Sequence, residues 1–174
     1  VGDKFEAFDI SENFNYSKQS FNINGRIELT NSKVKISKLN YNKDIGKLAS
    51  LNFDVNFVLN SYFNIQNLKY DAGATEINLS NIKLNKNFEL IDFEEARIKT
   101  FNELFKNNDF SINKSKKIII LGEVFDAQPL LKSLYKKNDK KTFSKDFFSK
   151  IKINFDKVLT GTNDDVSDFA MIAS

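Results

Sequence analysis

The sequence predicts a mostly β fold, an antiparallel meander sheet that is curled or sandwich-like, with one or two short α-helices. Residues 51–59 carry an apolar side chain at every odd position, and Asn or Asp fills the even positions up to Asn56. A period of two is typical of a strand with one buried and one solvated face. The alternation recurs along most of the chain, and its 18 Phe suit strand positions that bury against apolar neighbours.

Closely spaced strands fill the first part of the chain. The predicted strands are residues 4–8, 14–16, 21–29, 34–41, 51–59, 63–70, 76–84, 88–93 and 96–100. Within the third of these, Asn24-Gly25 is interpreted as either a hairpin turn or a kink in one strand. The change of parity between Leu79 and Ile82 predicts a bulge or a turn between them.

The remainder of the chain combines a helix with further strands. Its predicted elements are a helical turn at residues 101–105, an extended segment at 110–112, strands at 117–125 and 151–159, helices at 127–135 and 143–148, and one strand after residue 160. Four consecutive apolar residues, Ile118 to Leu121, predict a strand that is buried on both faces. Asp126 is a good N-cap for the first helix, and Pro129 suits its first turn.

Length and composition predict a single β-rich domain spanning residues 1–174. The chain begins with Val1 rather than Met, so we interpret it as a fragment of a longer protein. No apolar run has the length needed to cross a bilayer. The net charge is +3, and lysines are concentrated from residue 114 onward. We interpret these lysines as a solvated surface, with a contact to nucleic acid or anionic lipid as the alternative.

The side-chain inventory argues against catalysis. Without His or Cys the chain has no Ser-His-Asp triad, no thiol nucleophile and no Cys-based zinc site. The acidic pair Glu94-Glu95 lacks a marked glycosidase partner, and Asp164-Asp165 lacks calcium-loop spacing. We therefore predict no enzyme, no catalytic residue, no cofactor and no metal. Because Lys and Phe mostly alternate, they fall on opposite faces, which argues against nucleic-acid binding.

The apolar stripe is the remaining candidate for function. A sheet with one apolar face needs a second layer, and two short helices cover only part of a sheet this wide. The sheet therefore either folds over as a closed sandwich or leaves an apolar groove open. The predicted groove-lining residues are Leu51, Phe53, Val55, Phe57, Leu59, Ile151, Ile153 and Phe155. Such a groove suits acyl chains, since each buried methylene contributes about 0.8 kcal/mol.

One stretch resembles a known family. The segment from Ile118 to Leu131 resembles a strand–Gly–Asp–helix element of AsmA-like proteins, most closely of the YhdP-type branch. The residues that carry this resemblance are Gly122, Asp126, Pro129, Leu130 and Leu131. The segments Phe57-Val58-Leu59-Asn60 and Asn67-Leu68-Lys69-Tyr70 fit the same family, and the resemblance covers about residues 39–159.

The resemblance implies a cellular setting and a partner. AsmA-like proteins of Gram-negative bacteria are anchored in the inner membrane and project a curled sheet with an apolar groove into the periplasm. They are not enzymes, and they are implicated in moving phospholipid toward the outer membrane. By this resemblance the chain is a periplasmic segment that handles phospholipid, and its anchor lies outside this sequence.

Three alternatives stand beside the lipid-groove hypothesis. The first is a β-sandwich module for adhesion or scaffolding, with a closed core and no ligand. The second is a small outer-membrane barrel, which the predicted helix argues against. The third, ranked last, is an enzyme that uses paired carboxylates.

Overall fold

The chain folds into one wide, open β-sheet. The computed structural model describes residues 7–59, 61–103, 105–134, 150–161 and 165–173. Within these residues, eleven strands form the main sheet, two more form a small separate sheet, and there is one α-helix. The main sheet does not close on itself, which confirms the predicted mostly β, curled meander.

The described residues contain thirteen strands and two short helical elements. The strands are β1 (Phe8–Asn15), β2 (Ser20–Glu28), β3 (Val34–Ile36), β4 (Tyr41–Lys43), β5 (Ser50–Val58), β6 (Tyr62–Ala72), β7 (Thr75–Asn85), β8 (Leu90–Asp92), β9 (Glu95–Asn102), β10 (Phe105–Lys114), β11 (Ile118–Asp126), β12 (Ile151–Leu159) and β13 (Val166–Ala173). A 3₁₀ helix, Ser37–Leu39, lies between β3 and β4, and helix α1, Gln128–Leu134, follows β11.

The main sheet is a meander with one crossover. Its spatial order is β1-β2-β5-β6-β7-β9-β10-β11-β12-β13, and β8 pairs with β7 beside β9. All neighbouring strands are antiparallel except β11 and β12, which are parallel. Helix α1 lies in the connection between these two strands, as parallel pairing requires a crossover.

The strand register aligns apolar side chains into rows that cross the sheet. The first row is Phe8, Ile27, Leu51, Tyr70, Ile77, Ile98, Phe110, Gly122, Phe155 and Phe169. The second row is Ile10, Gly25, Phe53, Leu68, Leu79, Ala96, Ile112, Ile120, Ile153 and Met171. Because successive side chains alternate between faces, both rows lie on one face of the sheet.

Residues 29–49, which we call the cap, cover the first row. Tyr41 of the cap meets Tyr70 of β6 edge to face, with ring centroids 5.9 Å apart and hydroxyl oxygens 3.0 Å apart. Burial, together with the hydrogen bond to Tyr41, raises the pKa of the Tyr70 phenol well above its usual range. The Tyr70 hydroxyl therefore stays neutral at physiological pH, and this end of the apolar face forms a closed core.

A buried lysine holds the cap together. The Lys43 ammonium is almost fully buried and donates hydrogen bonds to the backbone oxygens of Thr30, Ser32 and Asp44, at 3.3, 2.7 and 3.0 Å. At the base of the cap, the amide of Leu29 donates to the carbonyl of Ala49. A buried ammonium loses its hydrogen bonds to water. The three carbonyl acceptors replace those bonds and so offset the cost of burying the charge.

A group of buried and half-buried polar residues, here called the polar clamp, ties the cap to the sheet. Its members are Asn40, Thr100, Asn107, Asn108 and Asp126. The amide nitrogen of Asn108 donates to the Leu39 carbonyl and to the Thr100 hydroxyl at 2.8 and 2.9 Å. The cap thus docks through directional bonds as well as apolar contact.

Three sequence predictions of local structure are wrong, and one open alternative is decided. Residues 34–41 are not one strand, because a 3₁₀ helix interrupts them and Asn40 adopts a left-handed conformation with φ of 49°. Phe101 and Asn102 belong to β9 and Phe105 begins β10, so the described part of residues 101–105 does not form the predicted helical turn. For Asn24-Gly25 the structure selects the single strand over the hairpin turn, because Gly25 lies inside β2. Leu121 is 45% exposed, so β11 is not buried on both faces.

Other predictions agree with the structure. The strand at residues 151–159 has the predicted bounds, a strand follows residue 160, and the parity change in β7 lies at Asn81, where φ is 51° within a continuous strand. Residues 4–6, the helix end at Tyr135 and the predicted second helix at 143–148 lie outside the described residues.

The opposite face of the sheet is polar and carries ion pairs. Asp109 accepts hydrogen bonds from Arg97 and from Lys106, and Lys106 also pairs with Glu123. Burial alone would raise the pKa of Asp109, but the bonds from Arg97 and Lys106 outweigh it and hold the pKa below its usual range. The Asp109 side chain therefore stabilises the fold in its charged form.

Asp109→Asn is expected to make the unfolding free energy depend less on pH in the acidic range. The folded pKa of Asp109 is below the unfolded value of about 3.9, so its contribution is present above that pH and is lost as pH falls toward the folded pKa. We expect the variant to lose about 1 kcal/mol at pH 7 and less at low pH. Urea unfolding at several pH values measures this. The exposed Asp9→Asn control should leave the profile unchanged, and an equal loss at all pH values would contradict the prediction.

Candidate apolar binding site

The part of the apolar face beyond the cap contains a trough of about 300 Å³. Its lining residues are Ile82, Leu90, Phe93, Ala96, Ile112, Ile118, Ile120 and Ile151. Every one of these side chains is apolar, and no polar surface contributes to the lining. The volume is at the lower end of the range for small-molecule sites. The trough therefore offers apolar contact without a hydrogen-bonding partner.

Strand pairing explains the position of the trough. Ala96 pairs with Ile112, which pairs with Ile120 across β10 and β11, and the parallel register sets Ile118 beside Ile151. Ala96 is the smallest lining side chain, so it leaves depth between its larger neighbours. Leu90 of β8 adds a side wall, because β8 pairs with β7 next to β9.

The two predicted groups of groove residues share one face but do not meet. Phe53 of β5 and Ile153 of β12 both belong to the second row, with five strands between them. At roughly 4.8 Å between strands, they are roughly 29 Å apart along the sheet. Of the eight predicted residues, only Ile151 lines the trough.

The other predicted residues differ in their exposure. Phe155 is 5% exposed and belongs to the core, and Leu51 and Ile153 pack against that core. Val55 and Phe57 are half-buried, and Leu59 follows β5 with 43% of its surface exposed. The first row is therefore largely closed, and the accessible apolar surface lies in the rows beyond it.

A ladder of phenylalanines continues the apolar surface toward β1. Its members are Phe14, Phe21, Phe57, Phe63 and Phe88, with successive ring centroids 4.4, 4.8, 5.8 and 4.7 Å apart. Leu84 of β7 pairs with Phe63 and with Leu90, which links the ladder to the trough. Stacked and tilted rings of this kind add stability beyond their buried area.

Gly122 and Asp126, named by the resemblance, have structural roles. A Cβ atom on Gly122 would lie 2.4 Å from the Cβ of Phe110 and 2.5 Å from the carbonyl oxygen of Asp109, so only glycine fits. Asp126 is buried, accepts from the Asn40 amide at 2.8 Å, and caps α1 by accepting from the Gln128 amide at 3.0 Å. Asp126 therefore accepts from the first amide of α1 as predicted for a capping side chain, although Ala127 is the residue that directly precedes the helix.

The remaining residues of that stretch lie on α1. Pro129 is in the first turn, as predicted. Leu130 and Leu131 are 52% and 36% exposed, and none of the described residues of α1 is buried. The helix therefore leaves its apolar side chains accessible, and the cap covers the first row instead.

Sequence reasoning does not identify most of the trough. Alternation alone marks Leu90, Ala96, Ile112 and Ile120 as strand or extended residues and assigns them no site. The available signal is the spacing of two residues between Ile118 and Ile120, which matches the spacing between Ile151 and Ile153. That signal becomes informative only when β11 and β12 are known to pair in parallel register.

The described residues show neither a metal cluster nor a membrane-spanning helix. No three of their His, Cys, Asp and Glu side chains are grouped closely enough to hold a metal ion, and Asp164 lies outside them. None of their helices combines the length and apolar character needed to cross a bilayer. Comparisons with protein-family models, with curated proteins and with solved structures find no match for this chain.

Proposed function

We propose that the chain is a non-catalytic, lipid-handling segment whose apolar face shelters phospholipid acyl chains. The observation that carries the proposal is the trough, which is lined only by apolar side chains and is accessible among the described residues. A polar ligand would lose its hydrogen bonds to water in such a site without replacement. An acyl chain loses none, and each buried methylene contributes about 0.8 kcal/mol.

The extent of the apolar face supports a chain-like ligand. The second row crosses ten strands, and the cap covers the first row rather than the trough. The phenylalanine ladder extends the same surface at its far side. Large apolar patches on a protein surface usually mark a binding site for a protein, a membrane or a ligand.

The proposal includes a family and a location. We assign the chain to the AsmA-like proteins, as a periplasmic segment of an inner-membrane-anchored protein of a Gram-negative bacterium that moves phospholipid between membranes. The resemblance around Gly122 and Asp126 is its basis. The close backbone approach at Gly122 and the helix cap at Asp126 give those two residues roles that a shared fold would preserve.

A closed adhesion or scaffold module is the second candidate. The observation that favours it is the core beneath the cap, where Tyr41, Tyr70 and Phe155 are each nearly inaccessible. Such a module would stabilise its own core and bind no lipid. Binding of an apolar fluorescent ligand to the native chain separates the two candidates.

Titration with cis-parinaric acid tests the proposed function. We expect saturable binding by the native chain, and a loss of affinity of at least about tenfold in Ile120→Asp, because the carboxylate would sit in the apolar trough. Leu121→Asp is the matched control, since it adds the same charge to the same strand on the opposite, exposed face. It is expected to bind normally.

A second variant, on a three-residue strand, tests whether a loss of binding results from unfolding rather than from the trough. Leu90→Asp lies on the short strand β8, so we expect it to keep the circular dichroism spectrum of the native chain while losing affinity. Absence of binding by the folded native chain would refute the proposal and favour the closed module. Equal affinity in the native chain, Leu90→Asp and Leu121→Asp would place the ligand elsewhere.

A further inference from the structure

Three lysines lie at the open end of the trough. The trough residues Ile118 and Ile151 pair with each other at the start of β11 and β12, and each directly follows a lysine, Lys117 and Lys150. The amide of Ile118 donates to the carbonyl of Lys150 at 2.8 Å, so the two lysine backbones are neighbours. Lys116 lies in the same turn as Lys117. We call Lys116, Lys117 and Lys150 the basic rim.

The basic rim keeps its charge available. All three lysines are exposed, and none forms an ion pair with a described residue. The neighbouring Lys114 is already engaged, since it pairs with Asp92. The described acidic groups at this end are Asp92, which faces Lys114, Glu94, which accepts a hydrogen bond from Asn81, and Glu95, which pairs with Asn113 in the strand register. Positive charge therefore exceeds negative charge beside the trough.

We propose that the trough takes an anionic phospholipid, with an acyl chain along the trough and the headgroup phosphate at the basic rim. This inference depends on the proposed function and specifies its ligand. The cap covers the first row, so along β11 and β12 the uncovered end of the trough is the end where the lysines lie. Lysine stems can lie along apolar surface while the ammonium groups meet the phosphate in water.

Charge complementarity selects among lipids of equal chain length. An acyl chain alone fits the trough whatever its headgroup, so it gives affinity without headgroup preference. The three ammonium groups favour a net negative headgroup over a zwitterionic one, in the way that basic clusters favour anionic lipid surfaces. Because the rim is exposed, salt should weaken this preference and leave the apolar part of the affinity intact.

Two monoacyl lipids of the same chain length test the inference. We expect the full chain to bind lysophosphatidylglycerol at least about tenfold more tightly than lysophosphatidylcholine at about 0.1 M salt, and nearly equally at about 1 M salt. Replacing the three rim lysines with Gln should reduce the affinity for the anionic lipid to that for the zwitterionic one. The affinity for lysophosphatidylcholine should not change.

A second triple variant controls for net charge. Lys18→Gln, Lys47→Gln and Lys132→Gln together remove the same charge from exposed positions outside the rim, and we expect the headgroup preference to persist. Its loss in this variant would overturn the assignment to the rim.

The remaining outcomes separate this inference from the proposed function. Tight but equal binding of both lipids by the native chain would overturn the headgroup assignment and leave the acyl-chain function standing. Binding of neither lipid would refute both. If glycerol phosphate alone binds the rim as tightly as the anionic lipid, the site is one for soluble phosphates, and the inference fails.

Discussion

Gly122→Ala is expected to lower the unfolding free energy by about 3 kcal/mol. A Cβ atom at this position would lie 2.4 Å from the Phe110 Cβ, 2.8 Å from the Phe110 Cα and 2.5 Å from the Asp109 carbonyl oxygen. Two of these three atoms belong to the backbone of β10, so no side-chain rotation relieves the overlap. The strands must separate, and separation disturbs the core around Phe110 and Phe155. Urea unfolding of the variant measures the loss.

Gly46→Ala is the matched control for this prediction. Gly46 has φ of +89°, and a Cβ atom added there would have no other atom within 4 Å, so alanine meets backbone strain but no overlap. We expect a cost of about 1 kcal/mol from the left-handed conformation alone. Gly122 carries no such φ, so its cost is steric. Equal losses in the two variants would contradict the close-approach explanation.

Asn108→Leu is expected to lower the unfolding free energy by about 3 kcal/mol and to loosen the cap. Asn108 is fully buried, and its amide nitrogen donates to Leu39 and Thr100 while its oxygen accepts from the Asp126 backbone amide at 3.0 Å. Leucine has a similar size but removes all three bonds. The Asp126 amide loses this buried acceptor, and the Leu39 carbonyl and the Thr100 hydroxyl keep only their bonds with Asn107. Unpaired buried polar groups cost about 1–3 kcal/mol each.

Hydrogen exchange locates the damage in the Asn108 variant. We expect faster exchange of the Asp126 amide, which loses its acceptor, and of cap amides around residues 34–43. Asn24→Leu makes the same substitution on the exposed face of β2, so it is expected to change stability by no more than about 0.5 kcal/mol. If Asn108→Leu leaves cap exchange at the native rate, the polar clamp does not hold the cap.

Local alternation predicted individual strands well. The bounds of β12 match the prediction, and the apolar residues of β5 from Leu51 to Phe57 do share one face. The reason is that period-two patterning depends only on neighbours in the chain. Prediction failed where a distant contact overrides that pattern, as at Asn40, whose left-handed backbone and bond to Asp126 interrupt the expected strand.

The trough could not be predicted from strand patterns alone. Its residues come from segments between 82 and 151, and strand order decides which of them are neighbours. The predicted lining combined β5 with β12 because both alternate clearly, yet five strands separate them. Pairing partners depend on the register and connection of whole strands, which no single strand sequence specifies.

The class of the fold, the apolar and polar faces of its strands and the absence of His and Cys chemistry could all be derived from the residues alone, because each depends on residue type and local spacing. Which apolar side chains are buried and which stay accessible became clear only from the three-dimensional packing. That division depends on where the cap docks, and the cap is held by bonds between residues far apart in the chain, such as Asn108 with Leu39.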